Sequence, residues 1–307
     1  MRVAIVGSSG AVGSELEKLI HARKFPHREL RLFNSQTEPS FAGVDLAFFC
    51  VSSELAKILI PKARSEGTIC IDSSSTFRSD PLIPLIIPEI NKSALGSHKG
   101  IIASPNCTTT LMLLPLAPIH KQWGIKRIIA STYQAVSGAG GKAIKELEVQ
   151  TQAALAGTTC APEVFPFPCA FNVFPHESLV GEDGFVEEET KMVTETKKIL
   201  ADPTIGVCAT CVRVPVVRSH SIALNVELTK PFTKEELFQA LSSAEGVEFS
   251  KEARHTALDA AGQSNILCGK LREDPTNPQA FSLWVVGDQL LKGAALNMLQ
   301  IAEVLFA

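Results

Sequence analysis

No apolar run in the chain is long enough to cross a membrane. The densest stretch, 111–119, is short and broken by Pro115 and Pro118, against the roughly 18 unbroken apolar residues a span requires. Charge of one sign is missing too: 29 Lys and Arg face 32 Asp and Glu, a formal net charge of −3. That balance excludes a broad electrostatic footprint for nucleic acid. There is no internal repeat and no low-complexity tract. With 45% apolar and 20% charged residues over 307 positions, the chain has core enough to exclude long disorder, in one large domain or two of ordinary size. The apolar run that follows Met1 is too short for a signal peptide, so a cytoplasmic location is expected.

Eight cysteines are spread along the sequence. Without a secretory signal they read as reduced thiols. Cys50 and Cys70 lie in apolar strings and read as small core residues. Cys208 and Cys211 form a CxxC with no second ligand pair at zinc spacing, so no metal site is expected.

The first third alternates short β-branched strands (2–6, 30–33, 44–51, 68–71 and 101–103) with helical patterns (14–22 and 54–66). Strand, helix, strand, helix in this rhythm predicts a doubly wound α/β domain of the Rossmann type. From residue 107 the character changes. Helices are expected over 108–122, 142–156, 187–200 and 234–244, and strands over 125–134, 208–217, 221–228 and 282–286. These intervals predict an α+β domain with a mixed sheet. The expected division is a dinucleotide-binding domain over 1–106, completed by a C-terminal helix within 287–307, and a catalytic and dimerisation domain over 107–286.

Gly7, Gly10 and Gly13 form GxxGxxG directly after a strand and before a helix. Glycine permits the tight turn, and a helix N-terminus offers free N–H groups to a pyrophosphate. At the tip of the second strand, 34–37, there is no carboxylate to accept from a ribose, which favours NADP. There is also no arginine for a 2′-phosphate, so NAD or dual use stays open. Cys107 opens a helix after a strand, where the positive end of the dipole is expected to lower its thiol pKa. It also lies where the two domains meet, a common place for a site. His220 joins two β-rich runs and can exchange protons with a thiol or its adduct. The other six histidines, His176 among them, lack such a setting.

Longer stretches carry a resemblance: 6–13 around the glycine loop, 71–78 (Ile-Asp-Ser-Ser-Ser-Thr-Phe-Arg), 105–107 (Pro-Asn-Cys), 131–140, 171–176, 188–192, 213–221, 258–262 and 287–295. In order and over nearly the whole length, the chain resembles the bacterial aspartate-semialdehyde dehydrogenase family. The resemblance implies reversible NADP-dependent reduction of L-4-aspartyl phosphate to L-aspartate 4-semialdehyde, in lysine (diaminopimelate), threonine and methionine biosynthesis, by a homodimer or homotetramer. It implies Cys107 as nucleophile, His220 as general acid/base and Gln134 as an orienting group. Arg213 would pair with the substrate carboxylate, Glu188 with its ammonium, and Arg78, Asn106 and Lys191 with phosphate. Ser9, Gly10, Ala11, Val12, Ser35, Ser137, Gly138 and Gln289 would line the NADP site.

Three positions depart from the family pattern. Gln36 replaces an arginine in a shortened segment after the second strand, Ser219 replaces the glycine before the histidine, and Ile222 replaces a glutamate after it. Other readings are a reductase of N-acetylglutamyl phosphate, a cofactor-free cysteine hydrolase or acyltransferase, and a silent nucleotide sensor. Glu188 speaks against the first, because an acetylated substrate has no ammonium. The glycine loop speaks against the second, and the complete set of polar site residues against the third.

Overall fold

The structure, a computed structural model, describes residues 1–252 and 254–307. Strands β1 (Arg2–Val6), β2 (Glu29–Phe33), β3 (Leu46–Phe49), β4 (Ile69–Asp72) and β5 (Ile101–Ala103) form one parallel sheet in the order β2-β1-β3-β4-β5. Every residue of β3 is buried, as an apolar strand covered on both faces requires. The edge strand β2 instead carries Glu29 and Arg31, partly exposed, which discourages pairing with another chain. Helices α1 (Ala11–Ala22), α2 (Ser53–Ser65) and α3 (Pro88–Asn91) connect these strands.

Helix α4 (Cys107–Trp123) leads into a seven-stranded mixed sheet. Its strands are β6 (Ile125–Gln134), β7 (Phe174–Pro175), β8 (Gly206–Arg213), β9 (His220–Leu228), β10 (Val247–Phe249), β11 (Ile266–Asp274) and β12 (Asn277–Gly287), in the order β10-β11-β12-β9-β6-β8-β7. β6 runs parallel to β8 and antiparallel to β9. Helices α5 (Gly141–Leu155), α6 (Glu187–Ile199), α7 (Lys234–Ser242) and α8 (Ala257–Ala260) complete this part. α4 is buried almost all round, and its Leu113, Leu116 and Ile119 join Ile128, Ile222 and Leu283 of the sheet in the larger core. Truncating one of these leucines to alanine costs about 2–5 kcal/mol. On the opposite sheet face the exposed Tyr133 lies beside Trp284, with ring centroids 5.8 Å apart, and Trp284 donates to the His255 carbonyl at 2.9 Å.

The α/β class and the mixed second sheet match the sequence reading, and several elements differ from it. The strand expected over 208–217 ends at Arg213, because Pro215 offers no N–H and the Val216 N–H turns back to the Val214 carbonyl. The strand expected over 282–286 is the C-terminal half of the longer β12, paired with the unanticipated β11. Gly269 and the polar ends of both strands blur their alternation. The last helix is preceded by a π-helical turn over Leu291–Ala295, and α9 itself is Leu296–Leu305. Met298, Leu299 and Ile301 of α9 pack with Val3, Ile5, Leu16 and Ile20, so the end of the chain closes the core of the first sheet. Among the described residues no helix is long and apolar enough to cross a membrane.

Candidate active site

A cleft of about 660 Å³ runs between the two sheets, from the glycine loop to Cys107 and His220. Gly10, Ala11 and Val12 line one end. α1 starts directly after Gly10, with no side chain capping its first N–H groups, which leaves them free for an anion. Gly7 has φ +88°, and a Cβ there would stand 2.3 Å from the Cys50 carbonyl oxygen. A Cβ on Gly13 would stand 2.2 Å from the Gly7 carbonyl oxygen. Only glycine allows this loop to fold so tightly, and the loop fits a dinucleotide pyrophosphate. Gly7 and Gly13 thus shape the loop from beneath. Ser9 and Ser35 are exposed and stand outside the cleft lining. At the tip of β2, Asn34 accepts the Gln36 N–H at 2.9 Å and Thr37 Oγ1 accepts the Asn34 N–H at 2.8 Å, tying that loop to itself. At the other wall, Gln289 donates to Ser137 and accepts the Ser219 N–H at 2.8 Å. Gly138 lies against Arg213 and His220.

Cys107 is the first residue of α4, and Asn106 caps the helix by accepting the Thr109 N–H at 3.1 Å. Cys107 Sγ lies 3.6 Å from His220 Nε2. The expected lowering of its thiol does not hold. Burial pushes the Cys107 thiol up to about 11, and the Glu188 charge adds to it, against smaller opposing effects of Thr108, Arg78 and Arg213. Burial, aided by the Arg213 charge, holds His220 down at about 3. At neutral pH the imidazole is therefore uncharged. Its Nδ1 accepts the Ala135 backbone N–H at 3.0 Å. A backbone amide only donates, so this bond assigns the ring proton to Nε2, the nitrogen that faces sulfur. His220 thus presents a donor to the thiolate, and of the acid/base pair of roles the resting geometry fits the acid.

Gln134, at the end of β6, donates to Thr108 Oγ1 at 2.8 Å and to Glu188 Oε1 at 3.3 Å. Asn106 donates to the same Glu188 oxygen at 2.8 Å. Burial raises the Glu188 carboxyl, but His176, Lys191, the Asn106 hydrogen bond and Arg78 together outweigh it and hold the carboxyl below its ordinary value. Arg213 ends β8 and is 2% exposed. It meets Glu177, His176 Nε2 and the Ala135 carbonyl.

Arg78 is held on three sides. It donates to the Ser104 carbonyl at 3.0 Å, the Ser73 carbonyl at 2.6 Å and Glu195 Oε1 at 3.0 Å. Glu195 is fully buried and also accepts the Asn106 backbone N–H at 2.7 Å. Lys191 reaches Glu187 at 2.9 Å and Glu188 at 3.7 Å, with its side chain partly exposed to the cleft. The Lys198 ammonium donates to the carbonyls of Arg78, Asp80 and Ile83 at 2.6–2.8 Å, fastening the loop that carries Arg78.

All the expected substrate and phosphate residues therefore line or border one cleft. His176, Glu177, Glu195 and Lys198 were not anticipated. Glu188, Lys191, Glu195 and Lys198 follow a 3, 4, 3 spacing on α6, which places them on one helix face. That face turns inward, and the spacing was the signal available. His176 has no such signal in the sequence. The CxxC splits: Cys208 is exposed and Cys211 buried, because residues three apart in a strand point to opposite faces.

A family model described as the semialdehyde dehydrogenase dimerisation domain matches residues 116–292, and one described as the semialdehyde dehydrogenase NAD binding domain matches 35–98. An aspartate-semialdehyde dehydrogenase of Synechocystis is 42% identical, covering 99% of this chain and 97% of its own. One from Bacillus subtilis is 39% identical, again covering 99% and 97%. The crystal structure of aspartate semialdehyde dehydrogenase II from Vibrio cholerae, complexed with ASA, superposes with a TM-score of 0.96 at 38% identity, over 99% of this chain and 98% of that one.

Proposed function

The chain belongs to the aspartate-semialdehyde dehydrogenase family, and from that premise we propose that it interconverts L-aspartate 4-semialdehyde and L-4-aspartyl phosphate, with NADP and inorganic phosphate. The observation that carries this reading is the pair Cys107 Sγ and His220 Nε2, 3.6 Å apart, on the wall of a cleft that continues to the glycine loop. Residues 1–106 with 287–307 form the nucleotide-binding unit, and 107–286 the catalytic unit.

Gly10, Ala11 and Val12 hold the pyrophosphate, while Ser137, Gly138 and Gln289 border the nicotinamide end. A nicotinamide held there supplies the hydride acceptor. Arg213 takes the substrate carboxylate and Glu188 its ammonium. Once Cys107 has given its proton to solvent, the thiolate attacks the aldehyde carbon, and the carbonyl electron pair moves to oxygen. His220 Nε2–H, freed from sulfur, donates to that oxyanion. Loss of hydride leaves a Cys107 thioester. Phosphate, gathered by Arg78, Asn106 and Lys191, attacks the acyl carbon. The carbon–sulfur bond breaks, its electron pair returns to Cys107, and the proton of phosphate goes to solvent. In amino-acid biosynthesis the sequence runs in reverse. The carboxylate of Glu188 favours this substrate over an N-acetylated one.

The match to a dimerisation domain over 116–292 and the exposed Tyr133 beside Trp284 support a homodimer or homotetramer built through the mixed sheet. The function is tested by following NADPH formation from L-aspartate 4-semialdehyde. Turnover is expected only with phosphate or arsenate present. Oxidation of N-acetylglutamate semialdehyde at an equal or higher kcat/KM would overturn the assignment.

A further inference from the structure

We propose that Glu177 is an internal stand-in for the substrate carboxylate: it occupies Arg213 in the empty site and is displaced when substrate binds. The inference rests on the reading that Arg213 receives that carboxylate. Glu177 Oε1 lies 2.5 Å from Arg213 Nη2, and Oε2 lies 3.3 Å from Nε, a side-on pairing of two oxygens with two nitrogens. This is the geometry by which a guanidinium binds a free carboxylate. The remaining donors are nearly used up. Nη2 also donates to His176 Nε2 at 2.9 Å, and Nη1 donates to the Ala135 carbonyl at 2.9 Å. Of five N–H groups, one on Nη1 is left. A substrate carboxylate therefore gains two parallel bonds to Arg213 only if Glu177 leaves.

The surroundings allow that movement. Arg213 is 2% exposed, and a guanidinium so buried is costly without a counter-charge. The Glu177 side chain is 20% exposed and lines the cleft. It follows the two-residue strand β7, which pairs Phe174 with Arg213, and the His176 N–H anchors the backbone to the Cys211 carbonyl at 2.9 Å. The backbone is thus fixed just before Glu177, while the carboxylate has solvent on one side to swing into. Glu177 then sets specificity as well. A ligand must bring a carboxylate able to replace it, so aldehydes lacking one meet an arginine that is already satisfied.

The test is the steady-state kinetics of Glu177→Gln beside the wild type, with semialdehyde and phosphate varied separately. The amide competes more weakly, so KM for the semialdehyde is expected to fall by roughly three- to tenfold while KM for phosphate stays put. L-aspartate, which carries the same carboxylate and ammonium, is expected to raise the melting temperature of the variant more than that of the wild type. A rise in KM for the semialdehyde would overturn the proposal, since Glu177 would then be orienting Arg213. An equal fall of both KM values would also overturn it, since the effect would be one of net charge alone. Should the glutamine variant not fold, Glu177→Asp, which keeps the charge but shortens its reach, is expected to lower KM in the same selective way. Arg213→Lys separates the two readings. If it leaves KM for the semialdehyde unchanged, Arg213 does not bind the carboxylate and the site assignment itself fails.

Discussion

The Ala135 backbone N–H points at Nδ1 of His220 from 3.0 Å and thereby turns the protonated nitrogen of the ring toward Cys107. A neutral donor facing sulfur serves a thiolate, yet burial keeps the Cys107 thiol protonated up to about 11. A raised thiol pKa means that the reactive form is scarce at neutral pH and grows as pH rises. Inactivation of the ligand-free enzyme by iodoacetamide is expected to accelerate steadily from pH 7 to the limit of stability, without a plateau near pH 8. A plateau there would mean that the thiol is already ionised. Cys107→Ser is expected to lose about three orders of magnitude or more in turnover, because an alkoxide forms far less readily than a thiolate. It is expected to retain binding of NADPH, measured by fluorescence.

Glu195 is the buried counter-charge of Arg78, at 3.0 Å. Removing one member of such a pair leaves an uncompensated charge, at about 3–5 kcal/mol. Glu195→Gln is expected to lower the melting temperature and to raise KM for phosphate while leaving KM for NADP unchanged. Loss of stability with an unaltered KM for phosphate would reduce Glu195 to a structural role.

Ser219 occupies a conformation suited to glycine, with φ +76°. Its hydroxyl is buried without a hydrogen-bond partner among the described residues. A left-handed non-glycine residue costs roughly 1–2 kcal/mol, and an unpartnered buried hydroxyl about 1–3 kcal/mol. Glycine carries an entropic cost of about 0.5–1 kcal/mol relative to alanine. On balance Ser219→Gly is expected to raise the melting temperature by a few degrees. A lower melting temperature would show that the hydroxyl has a use in the fold.

The loop after β2 offers hydroxyl and amide groups but no positive charge to a 2′-phosphate. NADP is expected to be preferred over NAD by a modest ratio of kcat/KM, and Gln36→Arg to widen that ratio by roughly tenfold through a charge-assisted contact. Better use of NAD than NADP by the wild type would reverse the cofactor assignment.

What was legible in the sequence was local. The glycines at 7, 10 and 13 announce a turn between strand and helix, and Cys107 announces itself by standing between a strand and a helix. What stayed hidden depends on contacts between distant segments. The shielding of Cys107, half-buried in the cleft wall, which reverses the expected direction of its pKa, comes from elements more than 80 residues away, Glu188 and His220 among them. His176 and Glu177 gain meaning only because a two-residue strand sets them beside Arg213. Glu188 and Glu195 look like solvent-facing charges on a helix, and only the packing of α6 against α4 turns that face inward. β11 escaped notice because Gly269 and the charged residues from Lys270 to Asp274 break its alternation.

Helix α6 carries Glu188 near its start and Glu195 two turns later, the first the proposed partner of the substrate ammonium and the second paired with Arg78, the proposed phosphate arginine. Seven residues of α-helix span about 10 Å, and a helix does not stretch. The helix therefore works as a gauge. It fixes how far the proposed ammonium site at Glu188 lies from Arg78, the proposed phosphate arginine. An aldehyde longer by one methylene cannot meet both ends and still present its carbonyl carbon to sulfur. Discrimination against the homologue with one more carbon is expected to be roughly 10- to 200-fold in kcat/KM, the range available to a misfit of one methylene.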